Sequence, residues 1–262
     1  MRILLSTTLL VVTALLLTGC RLTLELDLNV STDGGGTLEV SVSTDDELEE
    51  LARSAGVDPL SRMVQRVQAL EGSWRVSDER NDTEGGRTVT LRTSFADPAQ
   101  FQARYLELSQ ALDAPEAQVL GPLDLSIDPQ TDLITVTGSL PLLLTDVAAT
   151  DLGTDVATLT QRLTDVVDSS LTLTTPGSVV QANATTVLIQ GQPAAAPFTD
   201  GPAVLTWQAA PGQSVPVATT FEPGGASVVR LLIMGGVGVL AVGLIAGGVV
   251  AGRRRSATAG TS

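Results

Sequence analysis

The stretch LTLELDLNV, residues 22–30, decides how the first part of this chain folds. Its apolar residues alternate strictly with polar ones, which predicts a β-strand with one buried face and one solvated face. The residues DGGG at 33–36 accept the backbone angles of a tight turn. Because Leu38, Val40 and Val42 then continue the alternation, the sequence predicts an antiparallel hairpin.

The segment in front of this hairpin has the features of a secretory signal. Arg2 is followed by a short apolar run, and small residues close the segment. The ending resembles the lipobox of bacterial lipoproteins, whose residues here are Leu17, Thr18 and Gly19, followed by Cys20. The resemblance implies that residues 1–19 are removed and that Cys20 is acylated. The alternative is an ordinary signal that happens to end beside a cysteine.

The cysteine count and the charge restrict the function. Cys20 is the only cysteine, so the chain cannot form an internal disulfide and must be stable by packing. The chain has 29 acidic against 15 basic residues, and a formal net charge of −14. An acidic protein is repelled by phosphate backbones, so nucleic acid is not expected as a partner.

A second membrane segment is predicted near the other end. Residues 231–252 carry no charge. As a helix they would be about 33 Å long, against a hydrocarbon core of about 30 Å. Arg253, Arg254 and Arg255 follow at once, which predicts a cytoplasmic tail. The predicted organisation is a signal at 1–19, an exported domain at 20–222, a linker at 223–230, a transmembrane helix at 231–252 and a tail at 253–262.

Three helices are predicted within the exported domain. Residues 44–47 fit a capping box, and the pairs Asp58-Pro59 and Asp97-Pro98 are typical of an N-cap followed by the first helical residue. The third helix carries an apolar stripe at helical spacing, which predicts core positions at Phe101, Tyr105, Leu108 and Leu112.

The remaining sequence is rich in predicted strands. Alternating segments lie at 123–127 and 134–140, and several more between 171 and 221, while a short helix is predicted within 142–169. The sequence therefore predicts an α+β fold with helices packed on one face of an antiparallel sheet. A strand-rich C-terminal part and one C-terminal transmembrane helix complete the prediction.

Three stretches together resemble the LppM-type lipoproteins of actinobacteria. They are RLTLELDLNVSTDGGGTLEV at 21–40, LTLTTPGSVVQAN at 171–183 and WQAAPGQ at 207–213. Asn183-Ala184 stands where such proteins have an Asn-Gly step. The resemblance implies an exported α+β domain that binds an envelope phospholipid or glycolipid, and it brings no catalytic residues.

Several kinds of active site are excluded by composition. Without histidine or lysine the chain cannot build a Ser-His-Asp triad, a histidine metal site, a Ser-Lys dyad or a Schiff base. No metal or cofactor is predicted, and the acidic runs are interpreted as solvated surface. A hydrolase built on two carboxylates stays open.

The main hypothesis is a non-enzymatic lipoprotein on the outer face of the cell membrane, held by acylated Cys20 and the C-terminal helix. It predicts an apolar cavity between sheet and helices for an envelope lipid or glycolipid. The alternative is a structural scaffold beside a membrane protein complex, with an exposed apolar patch. The carboxylate hydrolase predicts two acids that face each other in a cleft.

Overall fold

The computed structural model describes residues 21–54, 58–70, 73–80, 86–112, 117–118, 120–141, 143–144, 166–198, 200–210 and 213–224. In this part the helices are α1 (Asp46–Ser54), α2 (Pro59–Gln68) and α3 (Pro98–Leu112). The strands are β1 (Leu22–Val30), β2 (Gly36–Thr44), β3 (Arg75–Arg80), β4 (Arg87–Phe95), β5 (Ala117–Gln118), β6 (Leu123–Ile127), β7 (Ile134–Pro141), β8 (Leu143–Leu144), β9 (Val167–Thr175), β10 (Val179–Ala182), β11 (Thr186–Ile189), β12 (Gln192–Pro193), β13 (Ala203–Ala209) and β14 (Ser214–Phe221).

The predicted hairpin forms β1 and β2. The two strands pair antiparallel over their whole length, from Leu22 opposite Thr44 to Val30 opposite Gly36. Gly34 takes a φ of 80° in the turn. Glycine adopts this conformation without steric cost because it has no Cβ. The apolar residues of β1 are buried and its acidic residues are exposed, as the alternation predicted.

The hairpin lies in the middle of an eight-stranded sheet with the order β12-β11-β13-β9-β1-β2-β4-β3. All neighbours pair antiparallel except β1 and β9, which are parallel, with Leu22 opposite Val167. Parallel neighbours need a crossover connection, and β9 follows residues 145–165, which lie outside the described residues. Most of the helix predicted within 142–169 falls in that gap, while 167–169 belong to β9.

A second sheet has the order β10-β14-β7-β6, and β5 pairs with β8 in a short ribbon. The link from β9 to β10 and the link from β13 to β14 both carry the chain from the large sheet to this one. Buried residues of both sheets form one apolar core, with Leu171 and Leu205 from the large sheet and Val136 and Phe221 from the small one.

The helix starts follow the predicted signals. The Asp58 carboxylate accepts a hydrogen bond from the Ser61 amide at 2.8 Å, and Asp97 accepts one from the Gln100 amide at 2.8 Å. Before α1 the cap is Asp45, which accepts from the Leu48 amide at 2.9 Å, and not Thr44. The predicted core positions of α3 are confirmed, since all four are buried: Phe101, Tyr105, Leu108 and Leu112.

The predicted fold class is wrong. The described part of the chain is strand-rich, and its core lies between two sheets as well as under α2 and α3. Helices pack against β3 and β4 and, through α3, against β6, while β6, β7, β10 and β14 form a second sheet where only helices had been expected. The large sheet is also mixed and not antiparallel throughout.

In the described part of the chain, none of the helices combines the length and the apolar character needed to cross a bilayer. The predicted span at 231–252 lies outside the described residues, as do Arg253, Arg254 and Arg255.

Arg87, whose side chain is buried, joins three elements through ion pairs with two partly exposed carboxylates. Its side chain is 5% exposed, and Nε and Nη2 each donate to the Asp78 carboxylate at 2.8 Å, while Nη1 donates to Asp58 at 2.9 Å. The hydrogen bonds from Arg87 hold the pKa of Asp78 below its ordinary 3.8. Partial burial opposes the same change at Asp58, yet hydrogen bonds from Ser61 and the charge of Arg87 keep its pKa below 3.8. The network therefore ties β4 to β3 and to the start of α2.

Replacing Arg87 by methionine is expected to lower the free energy of unfolding by about 1–2 kcal/mol at neutral pH, because Asp58 and Asp78 lose a charged hydrogen-bond donor. Both carboxylates, 51% and 39% exposed, keep contact with water, which limits the loss. Both folded-state pKa values lie below 3.8. This stabilisation is therefore complete above about pH 4 and is lost as the pH falls through the folded values. Urea denaturation at about pH 7 and about pH 3 should show the deficit shrinking in acid.

Arg92→Met is the matched control, because Arg92 lies on the same strand with a 58% exposed side chain, 3.7 Å from Glu39. Its loss should cost no more than about 0.5 kcal/mol. Equal deficits for the two variants would contradict the role given to Arg87.

Candidate functional site

A groove runs between helix α3, the loop 120–122 and the paired strands β6 and β7. Its volume is about 530 Å³. Small-molecule sites usually occupy roughly 300 Å³ to roughly 1000 Å³, so the groove is large enough for a ligand. We call it the α3 groove. It lies where α3 meets β6 and β7.

One face of α3 forms the helical wall. Gln102, Tyr105, Leu106 and Ser109 stand at i, i+3, i+4 and i+7, and all four line the groove. Leu106, a large apolar residue, is 58% exposed. Among the described residues, only Val180 on β10 is a comparably exposed large apolar side chain, at 55%, and it does not line the groove. Leu106 therefore offers apolar contact at the rim.

Tyr105 fixes the floor of the groove. Its hydroxyl donates to the Gly121 carbonyl at 2.7 Å, and its ring stacks on Phe101 at a centroid distance of 5.7 Å. Phe101 in turn meets Phe95 edge-on at 5.2 Å. Such aromatic pairs add about 0.5–1.5 kcal/mol beyond their burial. The loop 120–122 is thus held to a packed part of the core, and the groove is preformed.

The polar part of the rim includes one amide and one carboxylate, those of Gln102 and Asp124. Gln102 Nε2 donates to the Leu123 carbonyl at 3.1 Å and to Asp124 Oδ1 at 2.7 Å. The first bond satisfies a main-chain carbonyl on the unpaired side of β6, which is an edge strand of its sheet. The second bond orients the Asp124 carboxylate beside the groove.

The opposite wall requires a glycine at position 138. A Cβ atom there would lie 2.1 Å from the Pro122 carbonyl oxygen and 2.9 Å from Leu123 Cα. The Ser139 amide donates to the same Pro122 carbonyl at 2.9 Å. Because Gly138 has no side chain, the loop and β7 approach closely, which sets the depth of the groove.

The described lining of the groove holds a single carboxylate, Asp124, whereas a carboxylate-pair hydrolase needs two. The acids Glu25, Asp27 and Glu39 instead share the solvated face of β1 and β2, where Asp27 stands opposite Glu39. Burial of the Asp27 carboxyl, together with its two acidic neighbours, raises its pKa. No cluster of metal-ligating side chains occurs within the described ranges.

None of the site residues predicted from the sequence is among the described residues. Cys20 and the lipobox residues lie outside the described residues, and so does the arginine cluster at 253–255. Arg21, directly after Cys20, is held by Asp45: its amide donates to Asp45 Oδ2 at 2.5 Å and its carbonyl accepts the Asp45 amide at 3.2 Å.

The groove residues were missed, although signals for them exist. An isolated glycine inside a strand pattern, as at Gly138, indicates close backbone approach. Leu106 lies next to the core stripe of α3. The sequence could therefore have shown that the apolar face of this helix extends beyond the buried stripe.

This chain was compared with family models, with curated proteins and with solved structures. No family model and no curated protein matches the chain. The NMR structure of the folded domain of LppM from Mycobacterium tuberculosis matches over 77% of this chain and 89% of that chain, with 14% identity and a TM-score of 0.44. At 14% identity and a TM-score of 0.44, this match does not establish that the chain belongs to the LppM family.

Proposed function

We propose that this chain is a non-enzymatic lipoprotein on the outer face of the cell membrane, and that its α3 groove binds the acyl part of an envelope phospholipid or glycolipid. The observation that carries the proposal is the preformed groove with Leu106 at its rim. The free energy falls when an apolar group covers an exposed leucine beside a concave surface.

The lipobox supports the membrane location. Acylation of Cys20 would give the chain two or more acyl chains, and each buried methylene contributes about 0.8 kcal/mol. Two hydrogen bonds fix the main chain of Arg21 to Asp45, so a lipid on Cys20 would stand directly beside the first strand and α1. A domain held this close to the bilayer would meet membrane lipids before any soluble ligand.

Leu106→Gln is the test of the groove. We expect the full chain carrying this change to retain about tenfold less non-covalently bound lipid, because the contact at the rim loses its apolar side chain. The measurement is the mass-spectrometric analysis of lipid that is extracted from the purified full-length protein, with the covalent Cys20 lipid counted separately.

Val180→Gln is the matched control, since Val180 is equally exposed but lies on β10, which is the strand of its sheet farthest from β6. It should leave the lipid content within twofold of the unaltered chain. Equal losses in both variants would contradict binding in the groove, and no bound lipid in the unaltered chain would favour the scaffold hypothesis.

A further inference from the structure

The charges around the α3 groove are unfavourable for a phosphate. Asp124 is the only charged side chain among the described residues that line it. Arginine and lysine are the side chains that bind a phosphate through their positive charge, and arginine is the only one of the two that this chain contains. An anionic headgroup at this rim would therefore face a carboxylate without a compensating cation from the described lining.

The neighbouring arginines are already engaged. Arg104 on α3 donates through Nη1 to both Glu107 carboxylate oxygens, at 3.1 and 3.0 Å. Arg66 on α2 donates to the Ala111 carbonyl at 3.4 Å, near the end of α3. Recruiting either one to a headgroup would break a contact that the fold already makes.

The same rim suits a headgroup that carries hydroxyls and no charge. A carboxylate accepts up to about four hydrogen bonds, and Gln102 supplies one of those to Asp124. Thr137 adds a hydroxyl group to the lining. Carboxylate, amide and hydroxyl groups are the partners that sugar or glycerol hydroxyls bond.

We infer that Asp124 makes the α3 groove selective for amphiphiles with an uncharged, hydroxylated headgroup over amphiphiles that carry a phosphate. This inference rests on the proposed function, because it concerns the headgroup of a ligand whose acyl part the groove is proposed to bind. Asp124 acts as a specificity residue in two ways: it accepts hydrogen bonds from hydroxyls, and it repels an anion.

The experiment uses the full chain in phosphatidylcholine vesicles with two photoreactive lipids. Both carry the same diazirine-bearing acyl chains; one is monoglucosyl diacylglycerol and the other is phosphatidylglycerol, which has free hydroxyls but also a charged phosphate. We expect the glucosyl probe to label peptides from 98–112 and 120–141 about fivefold more than the phosphate probe. This ratio corresponds to the repulsion between two like charges, the carboxylate and the phosphate, at about 4 Å in water without screening by salt.

Asp124→Asn should bring this ratio close to one, because the amide keeps an acceptor for Gln102 but removes the charge. Asp168→Asn is the matched control: it changes the net charge equally, on the exposed side of β9, and should leave the ratio at about five. Equal labelling of the groove by both probes in the unaltered chain overturns the headgroup selectivity while leaving acyl binding intact. Absence of groove labelling with either probe overturns the proposed function as well.

Discussion

Replacement of Cys20 by alanine is expected to abolish the incorporation of labelled fatty acid into this protein. The thiol that receives the diacylglyceryl group would be missing, and the chain has no second cysteine to take its place. Because the lipobox resemblance implies that the signal is cut only beside the modified cysteine, residues 1–19 should also stay attached. Both results are measured on the same sample, by metabolic labelling and by the intact mass of the purified protein.

Gly19→Ala is the control for this experiment, because alanine is also small and keeps the lipobox pattern. It should retain both the label and the cleavage. Labelling that persists in the Cys20→Ala protein would show that the fatty acid sits elsewhere, and the proposed membrane location would lose its support.

The anchor and the groove depend on different kinds of information. The lipobox is a local motif, so it could be recognised from residues 17–20 alone. The groove forms where α3 meets the start of β6, at Leu123. More than ten residues of sequence separate the end of α3 from Leu123. A motif search therefore finds the first and not the second.

Local structure could be predicted wherever the physics is local. The alternation in 22–30 fixed which face of β1 is buried, and the Asp-Pro pairs fixed where α2 and α3 begin. In each case the deciding feature spans only a few residues. In a strand it is the alternation of side chains between the two faces, and at a helix start it is the hydrogen bond between a carboxylate and the amide three residues later.

The prediction of the fold class was wrong because an alternating pattern does not show which strands pair with each other. Val136 and Phe221 lie in segments whose alternation predicts strands, yet nothing in their spacing shows that β7 and β14 pair with each other in a separate sheet. The parallel pairing of β1 with β9 likewise joins residues more than 140 positions apart, such as Leu24 and Ser169. Such long-range pairings are set by the complete core.

Trp207, a fully buried residue of β13, connects the two sheets through a hydrogen bond of its side chain. Its Nε1 donates to Asn183 Oδ1 at 2.8 Å. The same Asn183 oxygen accepts the Ala218 amide at 2.9 Å, and its Nδ2 donates to the Pro216 carbonyl at 3.0 Å. Through Asn183, the indole of one sheet is therefore bonded to β14 of the other.

Trp207→Ala is accordingly expected to lower the free energy of unfolding by about 3–5 kcal/mol, the usual cost of truncating a buried large aromatic residue. The cavity would open between the two sheets, and Asn183 would lose one of its partners. Urea denaturation followed by circular dichroism measures the loss, and a change below about 1 kcal/mol would contradict the central position given to Trp207.

The phenylalanine variants separate packing from hydrogen bonding. Trp207→Phe keeps an aromatic ring but removes the donor to Asn183, so it should cost about 1–2 kcal/mol beyond the loss of ring volume. Trp74 is the matched control, because it too is buried but its Nε1 has no hydrogen-bond partner among the described residues. Trp74→Phe removes an unsatisfied donor, which should offset part of its packing loss, so it must destabilise the chain less than Trp207→Phe does. The reverse order would show that the bond to Asn183 contributes nothing to holding the two sheets together.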